Sequence, residues 1–110
     1  MPFVVVAPSG AVAVSWYDRR RDPENLLMDV FMRISIDGGA SFGPNLKISE
    51  VSFPPPQLNT KLGFPPYTCY MSSYNFMAAD ATNFYMVWTD NRMVTSSTVD
   101  SNIFFAKVPY

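Results

Sequence analysis

Histidine is absent from this sequence, and cysteine occurs once, at Cys69. Without histidine the chain cannot form a Ser-His-Asp or Cys-His catalytic set, or a zinc site that uses imidazole. A single cysteine excludes a disulfide within the chain, so cysteine usage does not indicate the redox compartment. Cys69 lies among aromatic residues and prolines, and this setting favours a packed thiol over a reactive nucleophile.

Charge is also scarce, since only 15% of the 110 residues are charged and the net charge is −1. This balance gives no electrostatic reason to expect a nucleic acid or an anionic membrane as a partner. No apolar run approaches the ~20 residues that span a bilayer, and the N-terminal segment lacks the basic region of a signal peptide. A surface so poor in charge indicates that part of it is buried against a partner.

Short alternating or β-branched segments predict an all-β chain. The first half has four predicted strands, at 3–7, 11–17, 29–35 and 45–49. The third is ambiguous, because 26–36 has the composition of a helix, but Val30, Met32 and Ile34 recur with a period of two, which favours a strand. Three more strands are predicted at 74–79, 84–89 and 102–108. Four antiparallel strands within about 50 residues have the size of one propeller blade.

Consecutive prolines interrupt this pattern, and they predict an irregular connector at 52–72. Such prolines favour an extended polyproline conformation, which either stiffens a connection or covers the edge of a pocket. The predicted organisation is therefore a first unit at 1–51, the connector, and a second, three-stranded unit at 73–110.

The two units repeat each other. The segment Ser-Trp-Tyr-Asp-Arg-Arg at 15–20 parallels Val-Trp-Thr-Asp-Asn-Arg at 87–92. Likewise, Asp-Val-Phe-Met-Arg at 29–33 parallels Asn-Ile-Phe-Phe-Ala at 102–106. Each unit thus has Trp-x-Asp-x-Arg followed by a strand of the same character. Self-similarity on this scale is typical of repeat architectures.

The segment Ser-Ile-Asp-Gly-Gly-Ala-Ser-Phe at 35–42 predicts a tight turn that is braced by its own side chains. Asp37 can accept backbone N–H groups, the two glycines permit positive φ, and the flanking serines brace the loop. The spacing Ser-x-Asp-x-Gly-x-Ser-aromatic resembles the Asp box, or BNR repeat, of sialidase-like β-propellers, with Phe42 where Trp is commoner. In that family the box joins the third and fourth strands of a blade, away from the active site.

The resemblance implies antiparallel β-propeller blades, with one full four-stranded blade and a partial second blade. It also implies a hydrolase of the glycoside-hydrolase type, acting on a glycan or another small molecule. A family propeller has about six blades, and two blades alone leave apolar faces and an edge strand exposed. Either the chain is part of a longer protein, or copies associate into a homo-oligomer, in which a homotrimer would complete the ring.

The resemblance also implies candidate catalytic residues. Sialidases use an arginine triad for the substrate carboxylate, a tyrosine nucleophile paired with a glutamate, and an aspartate acid/base. Arg20 and Arg92 match in the two units and are candidates for the carboxylate contacts. Tyr17, Asp18 and Asp90 beside them are the catalytic candidates, although no tyrosine–glutamate pair can be assigned. Alternatively, each aspartate forms an ion pair with the arginine two residues later and stabilises its repeat.

Two other functions are compatible with the same loops. In a lectin-like module without catalysis, Trp16 and Trp88 would stack on sugar faces, whereas the structural alternative packs both indoles between blades. In a calcium-dependent hydrolase of small esters or lactones, loop carboxylates would bind Ca²⁺, which prefers oxygen ligands. The metal-ligand candidates are Asp18, Asp22, Glu24 and Asp29. Their spacing matches no known calcium motif, and solvated carboxylates are the alternative.

Overall fold

The computed structural model describes residues 2–54, 75–93 and 101–110, and within them the chain is all-β, in two antiparallel sheets without a helix. The strands are β1 (Phe3–Val6), β2 (Val12–Asp18), β3 (Asp29–Ser35), β4 (Leu46–Lys47), β5 (Phe76–Ala79), β6 (Asn83–Asp90) and β7 (Asn102–Pro109). The first sheet has the order β1-β2-β3-β4 and the second the order β5-β6-β7, so each is a meander of sequential strands. Neither sheet closes on itself within these ranges.

The strand predictions are confirmed, with one correction. The ambiguous segment 26–36 contains β3, as its period of two residues indicated. The strand predicted at 45–49 is only Leu46–Lys47. It ends early because the next two N–H groups, of Ile48 and Ser49, both approach the carbonyl of Val30, at 2.8 and 3.4 Å. Two donors on one acceptor break the regular ladder.

Part of the predicted organisation lies outside the described residues. The connector predicted at 52–72 is described only over its first three residues, and Cys69 is not described. Among the residues that are described, no helix is long and apolar enough to cross a membrane.

The hydrophobic core lies between the two sheets. Alternate side chains of β3 point into it, and Val30 and Met32 are fully buried. The second sheet contributes alternate side chains of β6, namely Phe84, Met86 and Trp88. This alternation follows from the two-residue period of a strand, which places every second side chain on the same face.

An aromatic contact joins the two sheets at their first strands, and a second one extends the core next to the end of β2. β1 lies against β5, where the rings of Phe3 and Phe76 meet edge to face with centroids 6.2 Å apart. Phe53 is fully buried and forms a two-way backbone bridge with Met28. Its ring also meets that of Tyr17 edge to face, at 6.1 Å. The two sheets therefore share one core.

The turn at 35–42 connects β3 to β4 and has the predicted bracing. Asp37 accepts the backbone N–H of Ser41 at 2.9 Å and the hydroxyls of Ser35 and Ser41. These hydrogen bonds, the one from Ser35 being the largest contribution, hold the pKa of Asp37 well below its usual range. Gly38 and Gly39 have φ of 72° and 95°, which a side chain would disfavour.

Candidate functional site

A three-residue cluster ends β2. The indole Nε1 of Trp16 donates to Asp18 at 2.8 Å, and Arg20 donates to the same carboxylate from its backbone N–H and from its guanidinium. The Trp16 ring also stacks on Phe31, with centroids 6.2 Å apart. Partial burial acts to raise the pKa of Asp18, but the donors from Trp16 and Arg20 outweigh it, so the pKa lies below its ordinary value.

The same cluster ends β6 in the second sheet. Trp88 Nε1 donates to Asp90 at 3.1 Å, and the guanidinium of Arg92 binds both oxygens of that carboxylate at 2.6–3.0 Å. The Trp88 ring stacks on Phe104 at 6.0 Å, and Arg92 lies 3.8 Å above the Phe104 ring. Asp90 is fully buried, whereas Asp18 retains a little exposure.

The position of Tyr17 differs from that of an activated nucleophile. Its hydroxyl crosses from the first sheet to the second and lies 2.8 Å from both Asn75 Oδ1 and the Thr89 carbonyl oxygen. Burial raises the pKa of Tyr17 to about 12, although these two hydrogen bonds oppose the shift. A tyrosine nucleophile needs an adjacent general base. In this conformation the hydroxyl contacts a neutral amide and a carbonyl, and it links the sheets.

The calcium-ligand candidates besides Asp18 are spread over different local environments. Asp22 accepts the backbone N–H groups of Leu27, Leu26 and Glu24, which together hold its pKa below the ordinary value, the one from Leu27 contributing most. The Glu24 side chain is exposed.

Asp29 is buried and has its own set of partners. It accepts the hydroxyls of Ser49 and Ser52 and forms an ion pair with Lys47 at 3.1 Å. Across the described ranges, no three His, Cys, Asp or Glu side chains are grouped as a metal site would require.

A cleft of about 250 Å³ opens between the end of the first sheet and β7 of the second. Its walls combine aromatic, cationic and acidic side chains: Ile48, Glu50, Trp88, Arg92, Phe104, Phe105, Ala106 and Lys107. Aromatic faces suit the apolar face of a sugar ring, and cations suit a carboxylate. The cleft walls thus place two cations, Arg92 and Lys107, near one carboxylate, Glu50.

The structure divides the predicted site residues between different places. Arg92 and Trp88 line the cleft, whereas Trp16, Arg20 and the three catalytic candidates are not among its walls. Sequence reasoning missed Glu50 and Lys107. Lys107 follows the repeat segment at 102–106 directly, but nothing local in the sequence places Glu50 opposite β7. No protein-family model, curated protein or solved structure matches the chain.

Proposed function

We propose that this chain forms two blades of a sialidase-like, Asp-box β-propeller hydrolase that acts on glycans. The observation that carries the proposal is the recurrence of one hydrogen-bonded cluster, in which a tryptophan and an arginine bind the same aspartate. Trp16, Asp18 and Arg20 form it at the end of β2, and the equivalent residues form it at the end of β6. A structural repeat with this cluster, together with the braced turn at 35–42, is what the resemblance implies.

The sheet arrangement supports the same proposal. Each sheet is a sequential antiparallel meander, the form of a propeller blade. The two sheets pack face to face with their first strands, β1 and β5, side by side. Radial packing of blades around an axis would place the first strands next to each other in this way.

The cleft next to Arg92 is the proposed sugar-binding site. Arg92 and Lys107 supply positive charge for the carboxylate of an acidic sugar, and the partly buried Phe104 supplies aromatic surface, whereas Trp88 is only 3% exposed and belongs to the core. Asp90 already neutralises part of the Arg92 charge, so Lys107, which is exposed, is the stronger contributor to anion binding. Asp18 and Asp90 are not among the walls of this cleft. Hydrolysis there by Asp90 requires that a bound substrate displace Arg92, the wall residue that Asp90 now binds.

Glycan binding without catalysis is the second candidate function, and one observation favours it. Both candidate acid/base carboxylates are saturated with donors from a tryptophan and an arginine, and Asp90 is fully buried. A general acid must exchange a proton with its substrate within hydrogen-bonding reach. In the structure as described, these carboxylates stabilise the repeat, and the cleft remains for binding.

The test measures turnover and binding in the same preparation. Fluorogenic α-sialosides and neutral glycosides report hydrolysis, with and without EDTA, and NMR titration with free sialic acid reports binding. A sialidase-like hydrolase turns over a glycoside in EDTA and loses at least tenfold in rate per folded molecule in Asp90→Asn, because Asp90 binds the cleft wall Arg92. A matched control is Asp80→Asn, because Asp80 also accepts turn N–H groups but lies in no candidate site.

Each outcome has a defined meaning. Binding without turnover that is weakened in Lys107→Ala supports the lectin-like candidate. Turnover of an ester or lactone that EDTA abolishes would support the calcium-dependent alternative and overturn the sialidase-like proposal. If the chain neither hydrolyses nor binds any of these sugars, the glycan-directed function is wrong.

A further inference from the structure

The core of this chain is formed by unlike faces of its two repeats. The second sheet packs with the face that carries Trp88, but Trp16, its repeat equivalent, is on the opposite side of the first sheet from the core residues Val30 and Met32. This follows because Trp16 is paired with Phe31, which alternates with Val30 and Met32 along β3. The two repeats therefore pack head to tail, which means that the Val30 side of the first sheet meets the Trp88 side of the second.

One partner of this contact recurs on the outer side of the first sheet, where the β1 residues are exposed and Val12, Val14 and Trp16 are partly buried. We name it the Trp16 face, and it consists of Val4, Val6, Val12, Val14 and Trp16. Its equivalents in the second sheet are core residues, with Phe84 0%, Met86 1% and Trp88 3% exposed. On the Trp16 face, in contrast, Val4 is 55% and Val6 62% exposed.

The other partner is repeated on the outer side of the second sheet. We name it the Ile103 face, and it consists of Tyr85, Val87, Ile103 and Phe105. Strand register makes Ile103 and Phe105 the equivalents of Val30 and Met32, which are fully buried in the intramolecular core. Here Ile103 is 77% and Phe105 62% exposed. Contiguous exposed apolar side chains of this kind mark an interaction surface.

We infer that the Trp16 face of one copy of this chain docks on the Ile103 face of a second copy. The structure contains the template for this contact, because the Trp88 side of the second sheet already packs on the Val30 side of the first. A second copy supplies both complementary faces. Each of these sides also carries a cation, Arg33 beside Val14 and Lys107 beside Tyr85, which the contact has to leave in water. This inference does not rest on the glycan-directed function.

Docking of this kind is heterologous, since each copy uses one face of each type. Repeated head-to-tail contacts either close into a ring or extend into a filament. A closed ring covers every Trp16 face and every Ile103 face, so it predicts one discrete mass. The number of copies in the ring is then read from the mass.

The first experiment is light scattering after gel filtration, on the whole chain and on three variants. Val6→Asp blocks the Trp16 face and Ile103→Asp blocks the Ile103 face. Both positions are largely exposed, so the fold is expected to survive, and circular dichroism checks this. Val51→Asp is the matched control, because Val51 is 52% exposed but lies outside both faces. Wild type and the control are expected as oligomers, at a multiple of 12.4 kDa, and the two face variants as monomers.

A mixing experiment tests the polarity of the contact. Val6→Asp retains an intact Ile103 face, and Ile103→Asp retains an intact Trp16 face, so an equimolar mixture is expected to give heterodimers and nothing larger. If either variant alone still forms a dimer, the contact is between like faces and the inference is wrong. A monomeric wild type, with both faces covered by other segments of the same chain, would also overturn it.

Discussion

The hydroxyl of Tyr17 lies 2.8 Å from the carbonyl oxygen of Thr89, its own counterpart in the second repeat. Equivalent positions of the two repeats therefore contact each other across the sheets. Tyr17 contributes its side chain, and Thr89 contributes its backbone carbonyl. The Tyr17 hydroxyl is also 2.8 Å from Asn75, and the Tyr17 ring packs against the buried Phe53. Tyr17 therefore connects β2 to the residue before β5 and to the end of β6.

Removal of this hydroxyl is expected to destabilise the fold. In Tyr17→Phe the Thr89 carbonyl and the Asn75 amide lose a partner at a half-buried position, at a cost of about 1–2 kcal/mol in the free energy of unfolding. Urea denaturation followed by circular dichroism measures it. Tyr85→Phe is the control, because the Tyr85 hydroxyl binds Asp80 at the exposed surface and its loss is expected to cost less. Equal losses in the two variants would contradict a cross-sheet role for Tyr17.

Alkaline pH is expected to weaken the protein through the same residue. Burial raises the pKa of Tyr17 from 10.0 to about 12, so the folded state binds this proton more tightly than the unfolded state. The associated stability is complete below pH 10 and is lost as the pH rises towards 12. The melting temperatures of wild type and Tyr17→Phe, compared from pH 8 upwards, are expected to converge in that window. A constant difference would show that Tyr17 does not ionise there.

The two Trp-Asp-Arg clusters offer an internal comparison of a buried and an exposed ion pair. Asp90 is fully buried and its partner Arg92 nearly so, whereas Arg20, the partner of Asp18, is more than half exposed. Asp90→Asn leaves a buried guanidinium without a counter-charge, and we expect a loss of about 3 kcal/mol. Asp18→Asn is expected to lose less than about 1 kcal/mol, because solvent already screens that pair.

The measurement is urea denaturation of both variants at one protein concentration, since association would shift apparent stability. Comparable losses in Asp18→Asn and Asp90→Asn would argue against a burial-dependent effect. The rate of the proposed glycoside hydrolysis, normalised to the folded fraction, separates a structural loss from a catalytic one. A structural role lowers only the amount of folded protein, while a catalytic role lowers the rate of what is folded.

Acid is expected to weaken the braced turn at 35–42. Hydrogen bonds from Ser35 and Ser41 hold the pKa of Asp37 below its ordinary value of 3.8, so the unfolded state takes up this proton first. The stability from Asp37 is therefore present at neutral pH and is lost as the pH falls below about 4. We expect the urea concentration at the midpoint of unfolding to depend less steeply on pH in Asp37→Asn than in wild type, in that pH window. An unchanged slope would show that the other carboxylates alone account for acid sensitivity.

Local patterns in the sequence predicted much of this fold, and long-range contacts account for what they missed. The alternation of Val30, Met32 and Ile34 was enough to predict β3, because a strand between a core and an outer face imposes that period. The alternative pairing of Asp18 with Arg20 was also readable, since the partners are two residues apart. By contrast, the partners of Tyr17 lie 58 and 72 residues away, and no local pattern contains them.

The same distinction applies to β4 and to the cleft. β4 ends after Lys47 because Ser49 turns inward, where its hydroxyl binds Asp29 and accepts the Val30 N–H. The cleft combines Glu50 with Lys107, which only the packing of the two sheets brings to one place. The short length of β4 and the composition of the cleft walls both depend on tertiary contacts. The propensities of the individual residues do not specify them.

The backbone of the braced turn provides the last prediction. Gly39 has a φ of 95°, and a Cβ there would meet no atom within 4 Å, so any penalty for Gly39→Ala comes from backbone strain alone. We expect a loss of about 1–2 kcal/mol in the free energy of unfolding. Gly43→Ala is the matched control, because Gly43 follows the turn without a positive φ and its Cβ would contact only the Ile34 carbonyl, at 3.4 Å. If Gly39→Ala costs no more than the control, the turn can relax to a different conformation, and its hydrogen bonds to Asp37 do not fix its shape.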